Sequence, residues 1–232
     1  MPNIAPRRPA ATLSSAQQDY VKAIYLLAQP GRPVATSELA ARMKIRPASV
    51  TGMLAKLAAL GLVNHDRYRG TSLTAAGESL ALEMIRHHRL LETYLVVALG
   101  YGWDEVHEEA ERLEHHISER LEARIFDALG RPRFDPHGDP IPSPSGSVPK
   151  LALRSLRDCR TGDAVTVRRV SDRDSAKLKA LDQLGVAIGS RIDVVAESRW
   201  EGPIEVRVGR RRLQVPLGLA GAVFVEDAGG RR

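Results

Sequence analysis

His107, Glu111, Glu114 and His115 recur at spacings of three and four residues. At about 100° per residue they fall within roughly a third of a helix circumference. His88 and Glu92 form an i, i+4 pair on an earlier stretch, again on one helix face. A seam that would serve as apolar packing is filled instead with imidazoles and carboxylates. A carboxylate three or four residues from a histidine lets both side chains reach one ion, as in carboxylate-bridged helix-bundle sites. Nitrogen and oxygen donors without thiolate suit Mn²⁺, Fe²⁺ or Zn²⁺, and a carboxylate-rich set leans toward Mn²⁺. The competing reading is a charged, solvent-facing helix, which suffices for any single Glu–His pair but not for donors converging from two helices. His87 and His116 point to other faces and read as surface residues, while His65 and His137 have no evident partners. Cys159, the single cysteine, reads as a small buried residue and excludes an internal disulfide framework or a thiolate-rich zinc finger.

Two long amphipathic helices must carry these donors, one over 75–99 and one from Asp104, a possible cap, to about Leu129, where Gly130-Arg131-Pro132 stops it. Ahead of them, SAQQDYVKAIYLLAQ has helical periodicity and ends at Pro30-Gly31. VATSELAARMKI follows with Thr36 or Ser37 as N-cap, then PASVTGMLAKLAALG with Gly61 as C-cap. Leu62–His65, the turn DRYRG and Thr71–Thr74 read as a hairpin. Residues 131–150 are proline-rich and read as a linker. From 151 the pattern turns to β: AVTVRRV, RIDVVAE, IEVRVG, RLQVPL and AVFVED, with a short helix over SAKLKALDQLG, predict a small barrel of the SH3-like kind. The fold class expected is mostly α with a C-terminal small β-barrel. Its parts are a winged helix-turn-helix (1–77), a helical metal-binding and dimerisation domain (78–130), the linker (131–150) and an SH3-like domain (151–232).

Net charge is +6 and unevenly spread. Residues 1–77 hold about ten Lys and Arg against three acids, Asp19, Glu38 and Asp66, whereas 78–129 hold about twelve acids against five Arg. A basic module beside an acidic, histidine-rich one implies a polyanion partner and a cation partner. Helix, short helix, break, helix and hairpin is the order of a winged helix-turn-helix. The first turn of the third helix presents Ser49 and Thr51 to base edges with Arg46 just ahead, and Lys56, Arg67 and Arg69 are placed for phosphates. The alternative is an ordinary solvated basic face; an arginine-bearing hairpin directly after the helix favours DNA. Arg7 and Arg8 have no apolar stretch behind them, so no secretory signal is expected. No apolar run reaches membrane-spanning length, so a cytoplasmic protein is expected.

Taken together, DYVKAIYLL, PASVTGMLAKL, YRGTSLTAAG, HRLLETYL and VHEEAERLEHH resemble the sequence blocks of the diphtheria toxin repressor family, which includes manganese transport regulators. The resemblance implies a homodimer that binds a double-stranded DNA operator under control of Mn²⁺, with Fe²⁺ as the alternative. It implies one metal set of Asp19, His88, Glu111, Glu114 and His115 and a second of His88, Glu92 and His107, with His88 claimed by both. The tail implies a further acidic ligand, for which Asp174 aligns best and Asp172 next. Oxygen at Asp19 and Glu111 resembles the manganese-type members; iron-responsive ones carry methionine and cysteine there. Lys22 departs from the manganese pattern, which has glutamate three residues after the aspartate, and a tail domain is uncommon among those members. An ion held jointly by Asp19 and the helical donors would fix the DNA-reading module for two half-sites. A metalloenzyme, in particular a metal-dependent nuclease, is the rival, but no motif supplies a nucleophile or a phosphate cradle.

Overall fold

The computed structural model describes residues 13–66, 68–198, 200 and 202–228. It divides into two compact units, one of residues up to His87 with Pro142–Gly146, the other of His88–Ile141 with Ser147 onward.

In the first unit, Ser14 opens helix α1 (Ser15–Leu27) through a capping box with Gln17. Helix α2 (Thr36–Met43) starts one residue earlier than Thr36 as cap would require. Ala35 is the N-cap and offers no side-chain bond, so Glu38 reaches back to accept the Ala35 N–H at 2.9 Å. Lys44 turns left-handed at φ 55° and Pro47 sits in the first turn of α3 (Pro47–Ala59), where a missing N–H costs nothing. Val50, Leu54 and Leu57 bury one face of α3 against Val21, Ile24, Leu39 and Leu80, which leaves Arg46, Ser49, Thr51 and Lys56 exposed on the other. Strands β1 (Val63–Asp66) and β2 (Gly70–Leu73) pair antiparallel from Val63↔Leu73 to Asp66↔Gly70. The Asp66 carboxylate accepts the N–H groups of Tyr68 and Arg69 and shapes the hairpin tip. Arg67 lies outside the described residues. Helix α4 (Ala75–Leu99) begins in this unit.

The second unit contains the remainder of α4 and the helices α5 (Val106–Leu113) and α6 (Glu119–Ala128). The single helix expected from Asp104 to Leu129 is therefore two, and Glu105 rather than Asp104 is the N-cap of α5. His116 N–H bonds the Leu113 carbonyl in a tight turn, and the Ser118 hydroxyl accepts the Leu121 N–H to start α6 afresh. Leu90, Leu91, Leu95, Val106, Ala110, Ile125 and Ile141 pack together.

Residues 135–141 are not a loose linker. Asp135, His137 and Ile141 are buried, His137 completely. Asp135 Oδ1 accepts the N–H groups of His137 and Asp139, and Arg89 donates to the Pro140 carbonyl at 2.6 Å. Proline's missing donors thus do not prevent ordering, because arginine from α4 takes the free carbonyl. Val170 N–H also bonds the His137 carbonyl, tying this segment to the β region.

That region holds β3 (Arg154–Ser155), β4 (Ala164–Val170), α7 (Ser175–Leu184), β5 (Arg191–Ala196), β6 (Ile204–Val208), β7 (Arg211–Val215), α8 (Leu217–Ala220) and β8 (Val223–Asp227). The strands order β3-β8-β4-β5-β6-β7 in one antiparallel sheet. The expected barrel does not close, since β3 and β7 remain edges. Val165, Val167, Ile192, Val194, Ile204 and Val206 alternate inward and form the core with Leu178 and Leu181 of α7. Gly138, at φ +86°, lies so close to β4 that an added Cβ would stand 2.0 Å from the Arg168 carbonyl oxygen. Gly138→Ala should destabilise the protein by more than about 2 kcal/mol, read as a lowered midpoint in thermal unfolding; an unchanged midpoint would show that this close approach is not maintained.

Candidate metal centre

Four side chains of the second unit converge from three places. His88 and Glu92 come from α4, His107 from the first turn of α5, and Asp172 from the loop after β4. One potential ligand atom of each lies within 4.8 Å of the others. His88 Nε2 is 3.0 Å from Glu92 Oε1 and 3.1 Å from His107 Nδ1, and His107 Nδ1 is 3.3 Å from Glu92 Oε1 and 3.6 Å from Asp172 Oδ2. Asp174 stands elsewhere: it is the N-cap of α7 and accepts the N–H groups of Ala176 and Lys177. An aspartate just before a helix is more strongly claimed by that cap than by a distant cluster, so of the two acids Asp172 is the one beside His107.

His88 also explains why two patterns claim it. Its Nδ1 faces the other way, 2.6 Å from Glu114 Oε2 and 3.8 Å from Glu111 Oε1. An ionised Glu114 can only accept, so Nδ1 carries the hydrogen and the Nε2 lone pair is directed at Glu92 and His107. Glu114 ends α5 and is fully buried, and its Oε1 is 3.7 Å from His115 Nε2. Asp19 is a half-buried residue of α1 in the first unit.

A third group was not legible as such. Glu92, Asp135 and His137 offer donor atoms within the same mutual distance, and all three are buried. His137 Nε2 is 2.6 Å from the Trp103 carbonyl, which can only accept, so that nitrogen bears a hydrogen. Its Nδ1 lies 3.6 Å from Glu92 Oε2, and neither atom makes a hydrogen bond. Burial would raise the Glu92 pKa, but His88, His107 and His137 overcome it and hold the group well below the usual carboxylate range. Burial, followed by the Glu92 and Asp139 charges, pushes Asp135 up to about 8 despite Arg89. Burial opposes charge on His137 as well, yet the adjoining Glu92 outweighs it and holds the imidazole at about 9. His87, expected on the surface, is also buried, and His65 is bonded to Thr71 Oγ1 at 2.9 Å. Cys159 is buried in the core of the sheet.

Three family models match successive segments of the chain. The model of the iron dependent repressor N-terminal DNA binding domain matches residues 12–71. The iron dependent repressor metal binding and dimerisation domain matches 74–143, and the FeoA domain matches 154–227. An uncharacterised HTH-type transcriptional regulator of Methanocaldococcus jannaschii is 38% identical over 107 residues, which are 46% of this chain and 86% of that protein. The chain belongs to the diphtheria toxin repressor family. Among other relatives, the HTH-type transcriptional regulator MntR of Bacillus subtilis is 31% identical over 44% of this chain and 70% of its own length. A solved manganese-dependent transcriptional repressor in complex with manganese is 42% identical with a TM-score of 0.84, covering 91% of this chain and 99% of that one. ScaR with bound Zn²⁺ is 31% identical with a TM-score of 0.76, covering 91% and 99%. As a member of this family the chain is a metal-dependent, DNA-binding, dimeric transcriptional repressor rather than an enzyme. Among the described residues no helix is long and apolar enough to cross a membrane.

Proposed function

We propose that the chain is a manganese-responsive repressor that binds operator DNA as a homodimer in the cytoplasm and controls metal-homeostasis genes. The observation that carries the metal assignment is the convergence of His88, Glu92, His107 and Asp172, two imidazoles and two carboxylates with no thiol among them. That donor set fits a divalent ion of the Mn²⁺ or Fe²⁺ class. Glu92 Oε2 and His137 Nδ1, both buried and without a hydrogen-bond partner, fit a cation too once the Nδ1 proton is displaced. The carboxylates, the lack of thiolate and the manganese complex of a similar repressor favour Mn²⁺; iron is the alternative, in keeping with the names of the matching domains.

His88, Glu92, His107 and Asp172 would hold one ion, and Glu111, Glu114 and His115 would serve a second set. When bound, an ion supplies the positive charge that offsets the crowded carboxylates. Glu114 accepts from His88 Nδ1 and fixes the ring so that Nε2 is presented to Glu92. Asp172 brings the loop after β4 to His107, so donors from the helical and β parts of one unit meet there. On the DNA side, the Thr51 hydroxyl is bonded to the Pro47 carbonyl at 3.3 Å, which leaves its methyl and lone pairs for a base edge. Ser49 and Arg46 stand exposed beside it, while Lys56 and Arg69 are exposed toward phosphates.

The test is operator binding titrated with Mn²⁺, Fe²⁺ and Zn²⁺ in parallel, with a chelator control. Tightest activation by Mn²⁺ is expected. Equal DNA affinity with chelator would sink the metal-dependent reading, and cleavage of the DNA would establish the nuclease. Changing Arg67 and Arg69 together to Ala should weaken binding to every sequence and lower the salt slope by about two. An unchanged slope would take the hairpin out of the DNA contact. Asp172→Ala should weaken the Mn²⁺ response roughly tenfold or more. Asp174→Ala should cost about 1 kcal/mol of stability with the response intact; the reverse pattern would restore Asp174 as the ligand.

A further inference from the structure

We propose that Glu92 bridges two divalent ions at once, one on each carboxylate oxygen, making a dinuclear centre from two donor sets that share this residue. The inference rests on the metal-responsive reading above and extends it to the number of ions. Oε1 faces His88 Nε2 and His107 Nδ1, at 3.0 and 3.3 Å. Oε2 faces His137 Nδ1 at 3.6 Å, with the Asp135 carboxylate completing the second set. Both Glu92 and His137 are wholly buried, and neither Oε2 nor Nδ1 has a hydrogen-bond partner.

The Trp103 carbonyl accepts from His137 Nε2, which leaves Nδ1 as the ring nitrogen available to an ion. Nδ1 therefore faces Glu92 Oε2 at 3.6 Å, and an ion entering this set replaces the proton that the charged ring holds beside the carboxylate. A separation of 3.6 Å is too long for a proton to serve both as a hydrogen bond. Metal–nitrogen and metal–oxygen bonds of about 2.1 Å place two donors on one ion roughly 3 to 3.5 Å apart, close to the separations found on both sides of Glu92. The second set is also held in place. The His137 backbone N–H bonds Asp135 Oδ1 at 2.9 Å, its carbonyl accepts from Val170 N–H, and the Trp103 ring stacks at 6.1 Å. Arg89 Nε lies 3.5 Å from Asp135 Oδ2. A carboxylate with different donors on each oxygen is the connection that helical two-metal sites use.

The experiment uses the full chain stripped with chelator and reloaded with Mn²⁺, reading bound Mn²⁺ per protomer and the electron paramagnetic resonance spectrum. The wild type should show a spin-coupled Mn²⁺ pair. His137→Gln should bind one ion fewer per protomer and show only isolated-ion signals, and Asp135→Asn should do the same, which decides the matter should His137→Gln not fold. His107→Gln should also remove the coupling, from the other side of the bridge. A loaded wild type with no coupled signal, or variants at His137 and Asp135 that keep the wild-type ion count, would overturn the bridge. Operator binding distinguishes the two levels: Mn²⁺-dependent binding without spin coupling removes the bridge alone, whereas binding indifferent to Mn²⁺ removes the repressor reading with it.

Discussion

Glu92→Gln should abolish the Mn²⁺ response, weakening metal-dependent operator binding by more than about 100-fold. Glu92 is fully buried, with His88 and His107 on one carboxylate oxygen and His137 on the other. The amide keeps the shape but removes the charge and turns one oxygen into an NH₂ donor, which cannot ligate a cation. Losing an outer-shell partner already costs 10- to 100-fold in metal affinity, and Glu92 would be a direct ligand on both sides. The amide also leaves the neighbouring imidazoles without their compensating charge, so His137 should lose its elevated pKa, which Glu92 holds at about 9 against burial. The pKa of His137 is measurable by NMR titration of the metal-free variant. A Glu92→Gln protein that still bound the operator tenfold tighter with Mn²⁺ than with chelator would place the responsive ion elsewhere, at the Glu111–Glu114 set.

The sequence carried the donors that obey helical periodicity and missed those that do not. His88 and Glu92 share a face of α4 because i and i+4 residues always do, and their meeting with His107 follows once two acidic, histidine-bearing helices have to pack. Asp135 and His137 sit in a proline-rich stretch that periodicity cannot read. They are buried because Asp135 bonds two backbone N–H groups within its own turn and Arg89 draws in the Pro140 carbonyl. The available signal was an acid, a histidine and a further acid at alternating positions, Asp135, His137 and Asp139, in place of the purely small and polar residues of a flexible tether. No sequence period separates Asp172 from Asp174; Asp174 caps α7, and Asp172 stands beside His107. The break between α5 and α6 was written in Ser118, a stronger N-cap than Asp104 proved to be. Five of the six strands of the β region were legible to within a residue or two because inward valines and isoleucines alternate with arginines and acids. The two-residue β3 has no such alternation and was missed. Closure of the sheet was not, since it depends on edge pairing between β3 and β7 that no local pattern specifies.

His88→Ala should be as damaging as any single change in the helical donors, and it should act on two properties together. The ring is the one donor that faces both helical sets, with Nδ1 at 2.6 Å from Glu114 and Nε2 at 3.0 Å from Glu92. Removing it deprives two fully buried carboxylates of a partner, and breaking a buried ionic contact from one side costs about 3–5 kcal/mol. Metal-free His88→Ala should therefore unfold at a lower denaturant midpoint than the metal-free wild type. Metal-dependent operator binding should fall further than in His107→Ala, because His107 serves one set and is a third exposed, so solvent can replace part of what it contributes. His88→Gln should recover part of the stability, through a side chain long enough to bond one carboxylate, and none of the metal response. Denaturant unfolding in chelator and operator titration with Mn²⁺ measure the two effects separately. If His107→Ala proved the more damaging in both, His88 would be a packing residue, and its position between the two sets would have no part in sensing.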